Sequence, residues 1–408
     1  MKVLFYNHTG LVSGAERVLL MILNGIDRQR YEPIVLCPAD SPMMELAEQA
    51  GVRTRGLATL HARFTWRFDR VAQYVLSFYR VISDARDVVR DENPAFIHAN
   101  SIRAGLVMSA ATIGFKVPVI WHAHDILPRH PLSTAVRAFA TLTARNHILA
   151  VSHAVAIRFR GVILRPFTRR VPITVIQNSV DLDRFHPDVN SRNQARRDLQ
   201  IADDQLAIGI IGQLTPRKGQ LELIDAFAKV VSEVPNAILF IVGSAIFNRD
   251  ENYAKQLVGM AESQNVAHNL RFLGSRDDVP DIIRALDVLV VNSHEEPFGL
   301  TVLEGLASGT ATLSTAVGGT PEMITHGVNG FLTARNDHAS LVSALLTLLR
   351  DPQLREQLGA NARRDAVARF SISRFIQEVN SLYRAVSNTS EIPLQKTIGG
   401  LEVKLRAD

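Results

Sequence analysis

Two successive runs of short apolar segments, alternating with longer helical ones, divide this chain and constrain its fold more than any other feature. The first run reads as strands at residues 2–6, 33–37, 95–98, 117–121, 148–150 and 173–176, with helical spacing at 15–25, 43–50, 67–90 and 132–145. The pattern restarts at 206–211 and continues through 237–242, 269–272, 287–291, 311–314 and 330–332. Short apolar runs without polar alternation suit strands buried on both faces, and the helices between them supply the crossovers that parallel pairing requires. Two such series predict an α/β chain of two doubly wound domains, a size that 408 residues allow. The join falls near residues 181–206, where Pro187, Asn190, Ser191 and Asn193 read as a polar linker. Residues 337–387 read as helices with Arg-rich exposed faces. The tail after Ser387 is polar, contains glycine and reads as loose.

Bulk properties narrow the class. A single cysteine, Cys37, rules out an internal disulfide and fits a reducing compartment. The first residues form a strand and then turn polar, without the apolar stretch of a signal peptide. No apolar run reaches the ~18–20 residues of a membrane span without a charge or proline. A cytoplasmic location follows as an expectation. The net charge is +5, and the positive excess sits in residues 1–200, which hold 26 Lys and Arg against 16 Asp and Glu. There Arg53, Arg55, Arg63, Arg67, Arg70, Arg158, Arg160, Arg165, Arg169 and Arg170 interleave with Phe64, Trp66, Phe68, Phe159, Ile163 and Phe167. That pattern suits peripheral contact with an anionic membrane, and equally a solvated basic surface over a few core aromatics. No recognition module accompanies the charge, so nucleic acid is not expected as a partner.

The chemistry concentrates in Glu296-Pro297-Phe298-Gly299-Leu300-Thr301-Val302-Leu303-Glu304. Residues 285–291 before it read as a buried strand. Pro297 and Gly299 break the chain, and residues 300–307 have helical apolar spacing. A strand, a glycine turn and a helix start present backbone N–H groups and a positive dipole end, which suits an anion. Glu304 lies about one turn into that helix and can reach back beside the same spot. Amides for a diphosphate and carboxylates for hydroxyls fit a nucleotide sugar; the same spacing also suits a surface Glu pair around an ordinary βα loop. Arg217-Lys218-Gly219 places two cations at another helix start, unfavourable for the dipole unless an anion lies near. His122, His124 and Asp125 end a strand where ligands of such sheets bind, and a histidine there can donate to a hydroxyl or move a proton near neutral pH. The loop from Asn7 to Gly14 carries Gly10 and Gly14 but is not G-x-G-x-x-G, so no nicotinamide cofactor is indicated. Asp181-Leu182-Asp183 mimics a metal-binding D-x-D and reads as structural at the interdomain junction.

The Glu296–Glu304 spacing resembles the E-x7-E signature of retaining glycosyltransferases of the GT-B fold, most closely glycosyltransferase family 4. Supporting segments follow in order: Ser13-Gly14-Ala15-Glu16, His122-Ala123-His124-Asp125, Asn178-Ser179-Val180-Asp181, residues 212–219 (GQLTPRKG), Ile241-Val242-Gly243, Phe272-Leu273-Gly274 and residues 317–330 (VGGTPEMITHGVNG). The resemblance runs from about residue 1 to 387. It implies an acceptor-binding domain over 1–183, a donor-binding domain over 184–365, a helix over 366–387 crossing back to the first domain, and a tail over 388–408. It implies transfer of a sugar from a nucleotide-diphosphate donor, with retention, to an acceptor hydroxyl on a glycan or lipid-linked saccharide. The setting would be polysaccharide or glycolipid assembly. It implies His124, Glu296 and Lys218 as catalytic residues. The donor would be bound by Gly14, Gln213, Arg217, Lys218, Ser275, Phe298, Gly299, Leu300, Thr301 and Glu304, with Glu304 on the ribose and Glu296 on the donor sugar. No metal and no cofactor are expected. Gln213 departs from the family, which often has Arg there; Arg217 stands close by in sequence. A nucleotide-sugar epimerase or hydrolase, and a non-catalytic sugar-nucleotide binder, share this layout and stay open at this point.

Overall fold

The computed structural model describes residues 1–60, 68–142, 145–160, 171–245 and 250–388. Seven strands form the first sheet: β1 (Lys2–Tyr6), β2 (Glu32–Pro38), β3 (Arg53–Leu57), β4 (Phe96–Ala99), β5 (Val119–Ala123), β6 (Asn146–Ala150) and β7 (Ile173–Val175), in the order β3-β2-β1-β4-β5-β6-β7. Six form the second: β8 (Leu206–Ile211), β9 (Ala237–Val242), β10 (Leu270–Gly274), β11 (Val288–Val291), β12 (Ala311–Thr315) and β13 (Phe331–Thr333), in the order β10-β9-β8-β11-β12-β13. Every pairing is parallel, so helices must cover both faces, and central strands such as β9 are buried throughout.

Three elements differ from the sequence reading. The strand Arg53–Leu57 is absent from it because R-T-R-G-L is polar; as an edge strand it needs only one paired side, and Arg53 and Arg55 reach Glu92 at 2.8 Å each. Those two arginines, part of the stretch read either as membrane-facing or as a solvated basic surface, share that carboxylate with Lys2 and stay 44% and 43% exposed. Phe64, Trp66, Arg63, Arg67, Ile163, Arg165, Phe167, Arg169 and Arg170 lie outside the described residues, as do the side chains of Phe68 and Arg70. The polar linker contains a helix, Val189–Asp198, capped by Asp188, whose side chain accepts from Ser191 N. Arg192 and Arg196 on it clasp Asp287 at 2.7 and 3.2 Å, so its polarity serves docking rather than looseness. Residue 285 ends the helix Val279–Ala285 instead of opening β11.

Helix α1 (Gly14–Gly25) and the last helix (Ile372–Ser387) cover one face of the first sheet, where Phe375, Val379, Leu382 and Tyr383 pack with Val3, Phe5, Val18 and Phe96. The chain reaches that position through Val180 and Phe370, joined by Val180 N to Phe370 O at 3.0 Å. One continuous apolar cluster runs from the first sheet through Val180, Phe185 and Phe370 to Phe298 and the helix Leu300–Ala307 of the second domain. No helix among the described residues is long and apolar enough to cross a membrane.

Candidate functional site

In the second sheet the strand order reverses between β8 and β11, and an open parallel sheet leaves a crevice at the carboxyl ends of such strands. Two loops leave that edge. One passes Gly212, makes a 3-10 turn over Pro216–Lys218 and enters the helix Gln220–Glu233 through Gly219 at φ 67°. The other runs from Asn292 to Phe298 and enters the helix Leu300–Ala307 through Gly299 at φ 106°. They are stitched together: Asn292 Nδ2 donates to Gly219 O at 2.9 Å, and His294 N donates to Arg217 O at 2.8 Å. A Cβ at Gly219 would stand 2.1 Å from Asn292 O, so glycine is required both for the left-handed backbone and for the close approach.

This stitching brings Lys218, Glu296 and Glu304 to one place. Lys218 Nζ lies 2.6 Å from Glu296 Oε2, and Ser293 Oγ donates to the same oxygen at 3.0 Å. Both members of the ion pair are largely buried. Such a pair contributes little net stability, because desolvating two charges offsets their attraction, so stability alone does not account for it. Glu304 is partly exposed, and its carboxylate has no hydrogen-bond partner among the described residues. Burial pushes its carboxyl above the ordinary range, although Arg17 of the first domain, Arg184 and Lys218 all pull it down. The site therefore holds a carboxylate short of donors beside a set of cations. Gly299 offers no capping side chain to the helix Leu300–Ala307, so the first amides, Leu300 and Thr301 among them, keep their N–H groups for another acceptor. Phe298 directs its ring into the core, 6.2 Å from Phe370, and leaves only its backbone to the loop.

The first domain supplies the facing wall. Gly14 opens α1 opposite Leu300; a Cβ there would meet Leu300 Cδ1 at 3.2 Å. Ser13 caps α1, its N–H and hydroxyl donating to Glu16. His124 follows β5, and its Nε2 lies 3.1 Å from Asn100 Oδ1. Asn100 Nδ2 donates to Asn7 Oδ1 at 2.9 Å, and Asn7 Nδ2 donates to Thr9 O, so Asn100 offers its oxygen to the histidine. His124 must then carry its proton on Nε2 and keep Nδ1 as an acceptor. Burial lowers its pKa to about 3, so the ring stays neutral near pH 7, with Nε2–H as donor and Nδ1 as acceptor. Across the cleft, Ser152 Oγ donates to Pro297 O at 2.6 Å. Glu322 accepts from His153 N, Ala154 N and Gln177 Nε2 at 3.0, 2.9 and 3.0 Å.

The remaining expected residues scatter more. Gln213 donates to Asp250 at 2.9 Å, so its amide is committed within the second domain. Arg217 is exposed, and its charge, with those of Arg158 and Arg335, bears on Glu295, whose carboxyl burial nevertheless pushes up. Ser275 is exposed just beyond the edge strand β10, two strands from β8 in the sheet order. Asp181 accepts from Asp183 N and Arg184 N and so caps its own turn. Among the described residues no three His, Cys, Asp or Glu converge as a possible metal site. Sequence reasoning missed Asn7, Asn100, Ser293 and Ser152, single polar residues at strand ends that carry no motif of their own. Glu322 lay inside a quoted segment but had no role assigned.

Residues 191–365 match the family model described as glycosyl transferases group 1, and residues 12–184 match the one described as Glycosyltransferase Family 4. The UDP-Gal:alpha-D-GlcNAc-diphosphoundecaprenol alpha-1,3-galactosyltransferase of Escherichia coli is 24% identical over 383 residues, 91% of this chain and 94% of that protein. Among solved structures, Anabaena HepE in complex with UDP and glucose superposes with a TM-score of 0.79 at 28% identity, over 94% of this chain and 100% of that one. Sucrose-phosphate synthase from Thermosynechococcus elongatus superposes with a TM-score of 0.78 at 19% identity, over 95% and 99%, and shares the fold.

Proposed function

Because this chain belongs to glycosyltransferase family 4 and has the GT-B fold, we propose that it transfers a hexose, with retention, from a UDP-sugar to a hydroxyl of a lipid-linked or polysaccharide acceptor. The observation that carries this reading is the meeting of Lys218, Glu296 and Glu304 at the glycine-capped start of one helix. The UDP choice leans on HepE, solved with UDP and glucose, and the acceptor on the E. coli relative, named for a diphosphoundecaprenol saccharide. Neither the epimerase or hydrolase reading nor the non-catalytic reading finds support among relatives that are transferases.

In this reading Glu304 accepts from the ribose hydroxyls, which supply the donors its carboxylate lacks. Lys218 divides its ammonium between Glu296 and the leaving diphosphate, and the amides of Phe298 to Thr301 meet the same charge as it grows. Preorganised groups of this kind act mostly in the transition state. Glu296 holds the transferred sugar, and His124, neutral and anchored on Asn100, accepts from one of its hydroxyls through Nδ1. No further carboxylate is assigned as a nucleophile, so the acceptor attacks from the face the diphosphate leaves, passing its proton to that phosphate. Gly14 gives the diphosphate room opposite Leu300, and Arg217 adds positive charge at the rim. Gln213 and Ser275 take outer positions. No metal or cofactor is needed by this scheme. We place the enzyme in the cytoplasm, with its basic first domain against the inner face of the membrane. Incubating the chain with UDP-glucose or UDP-galactose and a lipid-diphosphate saccharide tests it. Product with an α linkage supports the reading; free sugar or an isomer as the main product opposes it.

A further inference from the structure

Three histidines of the first sheet form a row on the face that the last helix covers. His98 lies in β4, His122 in β5 and His124 just beyond β5. Tyr383 of the last helix stands 2.8 Å by its hydroxyl from His98 Nδ1; His98 Nε2 is 3.2 Å from His122 Nδ1. The His122 ring then packs against that of His124, tilted by 40° with centroids 3.9 Å apart, and His124 ends the row on Asn100. Tyr383, His98 and His122 are each 0% exposed. Burying imidazoles in such a core costs desolvation that an apolar side chain of similar size would avoid, so packing alone does not require them. His122 Nε2 has no hydrogen-bond partner among the described residues.

The geometry shows what the row does. One hydrogen bond to Asn100 fixes a point on the His124 ring but not its plane. The His122 ring, tilted 40° to it and in close contact, limits rotation of that plane, provided His122 is itself immobile. Its one hydrogen bond goes to His98, whose other nitrogen is held by Tyr383. Among the described residues no other side-chain hydrogen bond holds these rings. We propose that Tyr383 is a positioning residue for sugar transfer, orienting His124 through His98 and His122. The proposal rests on His124 belonging to the donor-sugar site assigned above. It makes seating of the last helix, 285 positions from His98 in sequence, a condition for an ordered active site.

The test uses the full chain labelled with 15N-histidine and the variant Tyr383→Phe, which keeps the ring among Phe5, Phe96 and Tyr31 and removes only the hydroxyl. In the wild type, His124 gives one sharp Nε2-protonated signal. In the variant it shifts or broadens together with His98 and His122, while exposed His268 stays fixed. A His124 signal that does not move while that of His98 does overturns the proposal. Turnover of UDP-glucose supplies a second arm. Tyr383→Phe lowers kcat about fivefold, the order of one hydrogen bond, with donor KM little changed, and has no further effect on a His124→Ala background. An equal proportional loss in both backgrounds makes Tyr383 merely structural and also overturns the proposal. Wild-type chain inert toward UDP-glucose counts against the donor assignment, and the resonance arm then decides the coupling alone.

Discussion

Glu304 shows how a single side chain can be poorly placed for stability and well placed for binding. Its carboxylate is only partly exposed and has no hydrogen bond among the described residues, and its folded pKa lies above its ordinary 4.5. The folded state therefore holds that proton more tightly than the unfolded chain does. This contribution to stability is complete below the unfolded value and is lost as pH rises through the folded one. Glu304→Gln should melt above wild type at pH 7, with the gap closing as the pH approaches 4. In calorimetry the same variant should bind UDP more weakly, since a neutral amide is a poorer acceptor for ribose hydroxyls. A variant no more stable at pH 7 would show that the carboxylate is not strained by burial. For Lys218 the expectation concerns rate: Lys218→Ala should lower kcat about a hundredfold if its charge is matched to the departing diphosphate. Wild-type kcat would remove it from the mechanism. Residues 296–304 were legible because strand, turn and helix signals coincide with two carboxylates at fixed spacing. Ser293 and Asn100 were not, because a lone polar residue at a strand end looks the same whether it faces a ligand or a turn.

At the scale of elements, buried and half-buried histidines in and beside the first sheet make it sensitive to acid. His98 and His124 fall to about 3, His8 and His147 to about 4, and His122 is also lowered, in each case chiefly by burial. Because these values lie below the unfolded 6.5, the unfolded chain binds the extra protons. Stability is complete above pH 6.5 and falls as the solution is acidified toward the folded values, by up to about 1.4 kcal/mol per pH unit for each group. The urea midpoint of the first domain should drop clearly between pH 7.5 and 5.5 and change little above 7.5. A midpoint flat over the acid interval would mean that these rings are hydrated in solution. Most strands could be read from apolar runs because parallel strands are covered on both faces. Arg53–Leu57 could not, since an edge strand whose arginines pair with Glu92 has no apolar run to read. The helix Val189–Asp198 was taken for linker because its buried contacts are made by arginines clasping Asp287.

For the whole molecule, the two domains meet through an apolar seam and a small polar latch. Ser152 holds Pro297 O, one residue from Glu296, and Glu322 caps the helix His153–Arg160 of the opposite domain. Glu322→Ala removes a charged acceptor from two backbone amides and Gln177 and should loosen closure. Solution scattering should give a larger radius of gyration for this variant without ligand, and added UDP should restore part of the difference. An unchanged radius would assign closure to the apolar seam alone. None of this pairing is legible in sequence, where Ser152 and Pro297 lie 145 positions apart. The central claim is that one cleft grips a nucleoside diphosphate between Lys218, Glu304 and the start of the helix Leu300–Ala307. Calorimetric titration of wild type and Glu304→Ala with UDP, GDP and ADP tests it most directly. The account predicts binding by wild type, with UDP preferred, and a loss of about 1–3 kcal/mol in the variant. Equal affinity of the two proteins for the preferred nucleotide would contradict it.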